Sequence, residues 1–183
     1  MKRLLLVLII LIAGKIHAAP CITIGDLDLF LAYAPADSPI SLREYLPEGE
    51  TLDKWNRMAS IRVFSNLKNP KKYLAAVAKT AVNSHPAARA VTFQNEKTKD
   101  LVLDFMVFSP ISAKLPFWEW NLMRATYVKG KGLVVYQYAM RGYNIKKELA
   151  VLVLAEREKM LNPFMEASFE EKETPDQRQS PGK

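Results

Sequence analysis

Between Ile22 and Phe164 the chain alternates apolar and polar positions, and the period of that alternation changes in only a few places. "ITIGDLDLFLAYAP" predicts an extended segment, interrupted at Gly25 and closed by Pro35. In "ISLREYLP", Ile40, Leu42 and Glu44 point one way and Ser41, Arg43 and Tyr45 the other, as in a strand. Helical spacing then intervenes. Thr51 suits an N-cap, Asp53 suits the first turn, and Leu52, Trp55 and Met58 or Ala59 share one face. On this reading Trp55 belongs to the core and pins a short helix to a sheet, with Pro47 and Gly49 turning the chain into it. "SIRVFS" returns to a strand. "NPKKYLAAVAKTAVNSHP" carries the strongest helical pattern: Asn69 caps it, Pro70 fills the first position, and Leu74, Val77, Ala78 and Ala81 form the apolar stripe.

Long strands dominate the second half. "RAVTFQN" and "LVLDFMVFS" are joined by the polar link "EKTKD". "WNLMRATYV" and "LVVYQYAMRGY" are joined by Lys129-Gly130-Lys131-Gly132, which reads as a tight hairpin turn. A final helix is expected after Asn144, running to about Leu161 and ended by Asn162-Pro163. Links this short join antiparallel strands. The pattern predicts an α+β domain over residues 22–164, an antiparallel sheet with flanking helices. Residues 165–183 hold few apolar side chains and many charges, so a disordered charged tail is expected there.

The amino terminus changes the picture of where this domain works. Lys2-Arg3, the apolar run Leu4 to Ala13 and the small residues before Pro20 follow the order of a secretory signal peptide over residues 1–18, cleaved after Ala18 or Ala19. The expected location is periplasmic or secreted. Pro20 stands where a bacterial lipobox needs a small residue, so lipidation of Cys21 is not expected. Cys21 is the sole cysteine; it cannot form an internal disulfide and is expected at a frayed terminus. Loss of Lys2, Arg3 and Lys15 leaves 23 basic against 19 acidic residues, a net +4. The basic residues are scattered, which argues against nucleic acid as a partner. A protein or cell-envelope component is the expected partner, a membrane surface is compatible with the charge, and oligomeric state is left open.

"EYLPEGETLDKWNRMASIRVF", with the hairpin "WNLMRATYVKGKGLVVYQYAMRGY" followed by a helix, resembles the PsbP-like α/β/α sandwich and small exported bacterial proteins of unknown function. The resemblance implies that fold and an accessory role beside a membrane or larger assembly. It implies no catalytic residue.

The chemistry available is limited. His85 is the only histidine beyond the leader, no Gly-x-Ser-x-Gly elbow is present, and the His, Cys and acid spacings match neither zinc nor calcium sites. No metal or cofactor is expected. Gly130-Lys131-Gly132 leads into a strand, unlike a phosphate-binding loop. Asp104, set within "LVLDFMVF", and Glu119 form the first acid pair for a carboxylate-dependent hydrolase or lyase; the alternative for Asp104 is a cross-strand arginine partner such as Arg124 or Arg141. Phe117, Trp118 and Trp120, with Arg124 and Arg141, form a candidate ligand or partner patch if exposed, and a cap on the sheet if buried. The function expected is an exported, non-enzymatic binding or accessory module of the bacterial cell envelope, with the hydrolase or lyase as alternative.

Overall fold

The computed structural model describes residues 20–38, 40–109, 116–143 and 149–173. The expected signal peptide lies outside them. Among the described residues nine strands form one sheet in the order β5-β6-β7-β8-β4-β3-β2-β1-β9. In chain order these are β1 Pro20–Ile24, β2 Leu27–Tyr33, β3 Ser41–Leu46, β4 Arg57–Phe64, β5 Arg89–Gln94, β6 Leu101–Phe108, β7 Phe117–Val128, β8 Gly132–Tyr143 and the short β9 Lys172–Glu173. Every neighbouring pair is antiparallel. Two helices accompany the strands among the described residues, α1 Pro70–Ser84 and α2 Leu149–Glu166.

The helices lie on opposite faces. Strand alternation sends Leu103, Phe105, Met123, Ala125, Leu133 and Val135 to the face where α1 inserts Leu74 and Ala81. The intervening positions, among them Val102, Trp120, Leu122 and Tyr138, pack with Val153, Met160 and Phe164 of α2. α1 begins as its sequence requires: Asn69 Oδ1 accepts from Lys72 N at 2.9 Å, and Pro70 follows the cap.

The expectation of an α+β layered domain, and with it the PsbP-like α/β/α sandwich, is corrected here: the fold is sheet-dominated. Geometry gives the reason. Nine strands span about 40 Å across, whereas one helix is roughly 10–12 Å wide. A single helix on each face cannot make a layer. On the α1 face the helix lies over β5, β6 and β7 and reaches the Leu133–Val135 end of β8 and Phe64 of β4; among the described residues no helix covers the other ends of β8 and β4, or β3 and β2.

Three local readings change with the fold. "ITIGDLDLFLAYAP" is two strands, because Gly25 takes φ +62° and Gly25-Asp26 turn the chain back so that Ile24 pairs with Leu27. The short helix expected around Trp55 is absent. Thr51 and Lys54 bond each other across a turn at 3.1 and 3.3 Å, and Met58 and Ala59 already belong to β4. Cross-strand pairing of Met58 and Ala59 with Ala139 and Tyr138 of β8 overrides their helical spacing. Finally, α2 passes through Pro163 to Glu166. Phe164 is fully buried beyond it, and Pro163 rests against Gly25, where a side-chain carbon would lie 3.1 Å from the proline ring.

The expected domain limits also move. Residues 167–173 complete the α2 face, so this part of the expected disordered tail is ordered; residues 174–183 lie outside those described. Phe169 stacks on Tyr136 with ring centroids 4.5 Å apart, at a φ of +55° that an aromatic residue adopts only when packing enforces it. Glu171 accepts from the Tyr45 hydroxyl at 2.6 Å and pairs with Arg43. At the other end, Cys21 is a buried thiol within β1, opposite Phe30, and the strand it occupies is paired on both sides.

Candidate functional site: the open half of the α1 face

The residues expected to form one patch are divided by the sheet. Trp118 and Trp120 face α2 and are 5% and 1% exposed, so they form a cap and offer no docking surface. Trp118 lies across Gly142, its partner on β8, where an added methyl would sit 2.3 Å from the indole. Arg124 is on the same face. Its Nη1 and Nη2 donate to the carbonyls of Met165 and Ala167 at 2.7 and 2.8 Å, which satisfies the open end of α2. Its guanidinium lies over the rings of Tyr136 and Phe169. Phe117 and Arg141 point to the α1 face.

Asp104 and Glu119 are likewise on opposite faces. Asp104 shares the α2 face with Trp120, whose indole Nε1 donates to it at 2.8 Å, and Arg157 of α2 donates to its second oxygen at 2.5 Å. The arginine partner expected from a neighbouring strand comes instead from the helix, because Leu122 occupies the cross-strand position. Glu119 is on the α1 face, where Arg141 Nη2 and Nε donate to it at 2.6 and 3.0 Å. The two acids share no cleft. His85 ends α1; its Nδ1 accepts from Ala87 N at 3.1 Å and its ring lies 4.6 Å from Phe108.

A second ion pair, with a buried carboxylate and a partly exposed guanidinium, holds α2 to the sheet. Glu156 accepts from Arg57 at 2.8 and 3.1 Å and from the buried Tyr138 hydroxyl. Burial pushes the Glu156 carboxyl up, but the hydrogen bonds from Arg57 and Tyr138 outweigh it and hold it below the usual carboxylate range. Burial and the same carboxylate push the Tyr138 hydroxyl well above its ordinary value. These groups bind the protein to itself.

What remains open is the other half of the α1 face. There β7, β8, β4, β3 and β2 bring polar residues into register: Asn121 beside Ala139 and Met58, then Gln137, Ser60 and Glu44 in line toward Tyr33. Of this row, Tyr33, Glu44, Met58 and Gln137 line a hollow of about 370 Å³, together with Trp55, Leu52, Arg62, Glu119 and Arg141; Ser60 and Asn121 are buried in the same row and do not line it. The turn from Thr51 to Lys54 sets one wall. Glu50 shapes it by accepting from the backbone amides of Asn56 and Arg57 at 2.6 and 3.2 Å. Trp55 is 3% exposed and packs on Leu46 and Ala139. The Arg141 guanidinium is stacked between Trp55 and Phe117, 4.0 and 4.3 Å from their centroids. The expectation that Trp55 belongs to the core therefore meets a residue that is also the back wall of a hollow.

The hydrogen bonding of this row is incomplete. Gln137 Nε2 donates to Asn121 Oδ1 at 2.5 Å, and Arg62 Nη1 donates to Gln137 Oε1. Ser60 Oγ and Asn121 Nδ2 are buried with no partner among the described residues. Arg62 and Glu44 each lack an oppositely charged partner within 4.0 Å among those residues, unlike Arg141 and Glu119. Such unsatisfied groups are uncommon in a folded interior.

Sequence reasoning had the parts of this site but not their meeting. Glu119 and Asn121 on β7 and Ser60 and Arg62 on β4 are two residues apart, and Gln137 and Arg141 on β8 four apart, so each pair shares one face of its strand. Such evenly spaced polar pairs on three strands are the signal of a polar half-face.

A protein-family model matches residues 19–169, and the family is uncharacterized. No curated protein and no solved structure matches the chain. Nothing in these comparisons links it to PsbP-like domains.

Proposed function

We propose, for a chain that belongs to this uncharacterized family, a non-enzymatic binding or accessory role at the bacterial cell envelope, with the open half of the α1 face as its working surface. The observation that carries this reading is an open hollow lined by Glu44 and Arg62, two charges with no opposite charge within 4.0 Å among the described residues. The hollow sets the polar groups of Glu44, Arg62, Gln137, Glu119 and Arg141 beside the apolar walls of Trp55, Leu52 and Met58, and convergent polar groups in a concavity are what orients a ligand. The export component rests on the basic, apolar and small-residue order of the first 18 residues. Among the described residues no helix is long and apolar enough to cross a membrane. A carboxylate-dependent hydrolase or lyase finds less support, since Asp104 and Glu119 lie on opposite faces and each is held by an arginine.

A thermal-shift screen of polar metabolites against the wild-type protein and Leu52→Trp tests the reading. Leu52 stands at the rim and is 41% exposed, so the larger ring narrows the mouth without disturbing the core. A ligand at about a hundred times its Kd raises stability by about 2.7 kcal/mol, a shift of roughly 5–10 °C for a domain of this size. The expected result is at least one such shift, lost in Leu52→Trp. Shifts equal in both proteins, or turnover of an ester or glycoside abolished by Asp104→Asn, would overturn the reading.

A further inference from the structure

We infer that the hollow takes a free α-amino acid with an apolar side chain, its carboxylate on Arg62 and its ammonium on Glu44. The inference rests on the binding reading above and names the ligand class for that site. Glu44 faces Ser60 across β3 and β4, and Arg62 is two residues further along β4, so the two are diagonal neighbours on one face. Diagonal positions are about 7–8 Å apart. Both side chains line the hollow, and among the described residues neither has an opposite charge within 4.0 Å. They also make no ion pair with each other.

Each charge excludes a class of ligand. A simple anion drawn to Arg62 meets the repulsion of Glu44, and a simple cation drawn to Glu44 meets that of Arg62. A ligand carrying both charges close together satisfies both. In an α-amino acid the ammonium nitrogen and carboxyl carbon are about 2.5 Å apart, and the long side chains of Arg62 and Glu44, both lining one hollow, each meet one end through a charge-assisted hydrogen bond of about 2.8 Å. A quaternary ammonium ligand, which would need a free aromatic face, is disfavoured because Arg141 already occupies the rings of Trp55 and Phe117. The same ion pair with Glu119 removes the second Arg–Glu pair from competition. Leu52 and Met58 leave an apolar wall for the ligand side chain. Gln137 bonds Arg62 through its carbonyl, so the guanidinium is already oriented, a positioning role.

Isothermal titration of the full chain with leucine, leucinamide and N-acetylleucine tests this directly. Leucinamide keeps the ammonium and loses the carboxylate; N-acetylleucine does the reverse. The expected result is binding of leucine, with each analogue weaker by about tenfold or more. Arg62→Met should weaken leucine and erase its advantage over leucinamide, while Glu44→Gln should erase its advantage over N-acetylleucine. A variant that was merely unfolded would not lose one discrimination and keep the other. N-acetylleucine or leucinamide binding as tightly as leucine would overturn the inference, as would no binding of leucine. If leucine fails while another compound gives a shift that Leu52→Trp removes, the binding reading stands and the zwitterion assignment falls.

Discussion

Glu156 holds α2 to the sheet through one carboxylate that serves both Arg57 and Tyr138. Replacing it with alanine leaves a buried hydroxyl unpaired and is expected to cost about 2–3 kcal/mol. That is below the figure for a fully enclosed pair, because the Arg57 side chain is 40% exposed. The pH dependence follows from the sign of the shift. Because the folded-state pKa lies below the ordinary carboxyl value of 4.5, the contribution is present above that value and is lost as pH falls through the lower folded pKa. Urea midpoints of wild type and Glu156→Gln, measured from pH 7 downward, should therefore converge in acid. Gly142 makes a second residue-scale test. Its missing side chain is the space that the Trp118 indole occupies, so Gly142→Ala should cost about 1–3 kcal/mol and shift the tryptophan emission. Unchanged stability and emission would show that Trp118 does not lie across the strand.

The elements that sequence alone reveals are those whose signals are local. Asn69-Pro70 caps α1 through its own backbone, and the Lys129–Gly132 turn closes its own hairpin. Elements decided by distant partners are misread. The segment at Thr51–Ala59 has helical spacing, yet pairing with β8 draws its second half into a strand. Pro163 reads as a helix stop, but burial of Phe164 and the Arg124 clamp on the last carbonyls carry α2 past it. Phe169 sits in a highly charged stretch, and only the stack on Tyr136 reveals that it is core. At this scale, Phe169→Ala is expected to destabilise the protein by about 3 kcal/mol. It should also speed amide exchange in β1, whose outer partner β9 follows Phe169 by a few residues. Exchange in α1, on the other face, should not change.

Across the whole molecule, one sheet presents two faces that do different things. The α2 face is closed by a helix, by residues 167–173 and by three arginine-centred contacts at Arg57, Arg124 and Arg157. Among the described residues the α1 helix closes the other face over β5, β6, β7 and the Leu133–Val135 end of β8, and leaves the rest open. Alternation within each strand is legible in the sequence: it sends Glu119 and Asn121 to one face and Trp118 and Trp120 to the other. The order of the strands was not legible, and it is the order that brings Glu44, Ser60, Gln137 and Asn121 together on one face. Strand register thus created a site that no single motif announces. The division of the three tryptophans gives the most direct check. Trp55 backs the hollow, while Trp118 and Trp120 are enclosed beneath α2. Isotope-labelled protein titrated with polar metabolites should show the Trp55 indole resonance moving while those of Trp118 and Trp120 stay in place. Movement of Trp118 and Trp120 with a silent Trp55 would contradict the account.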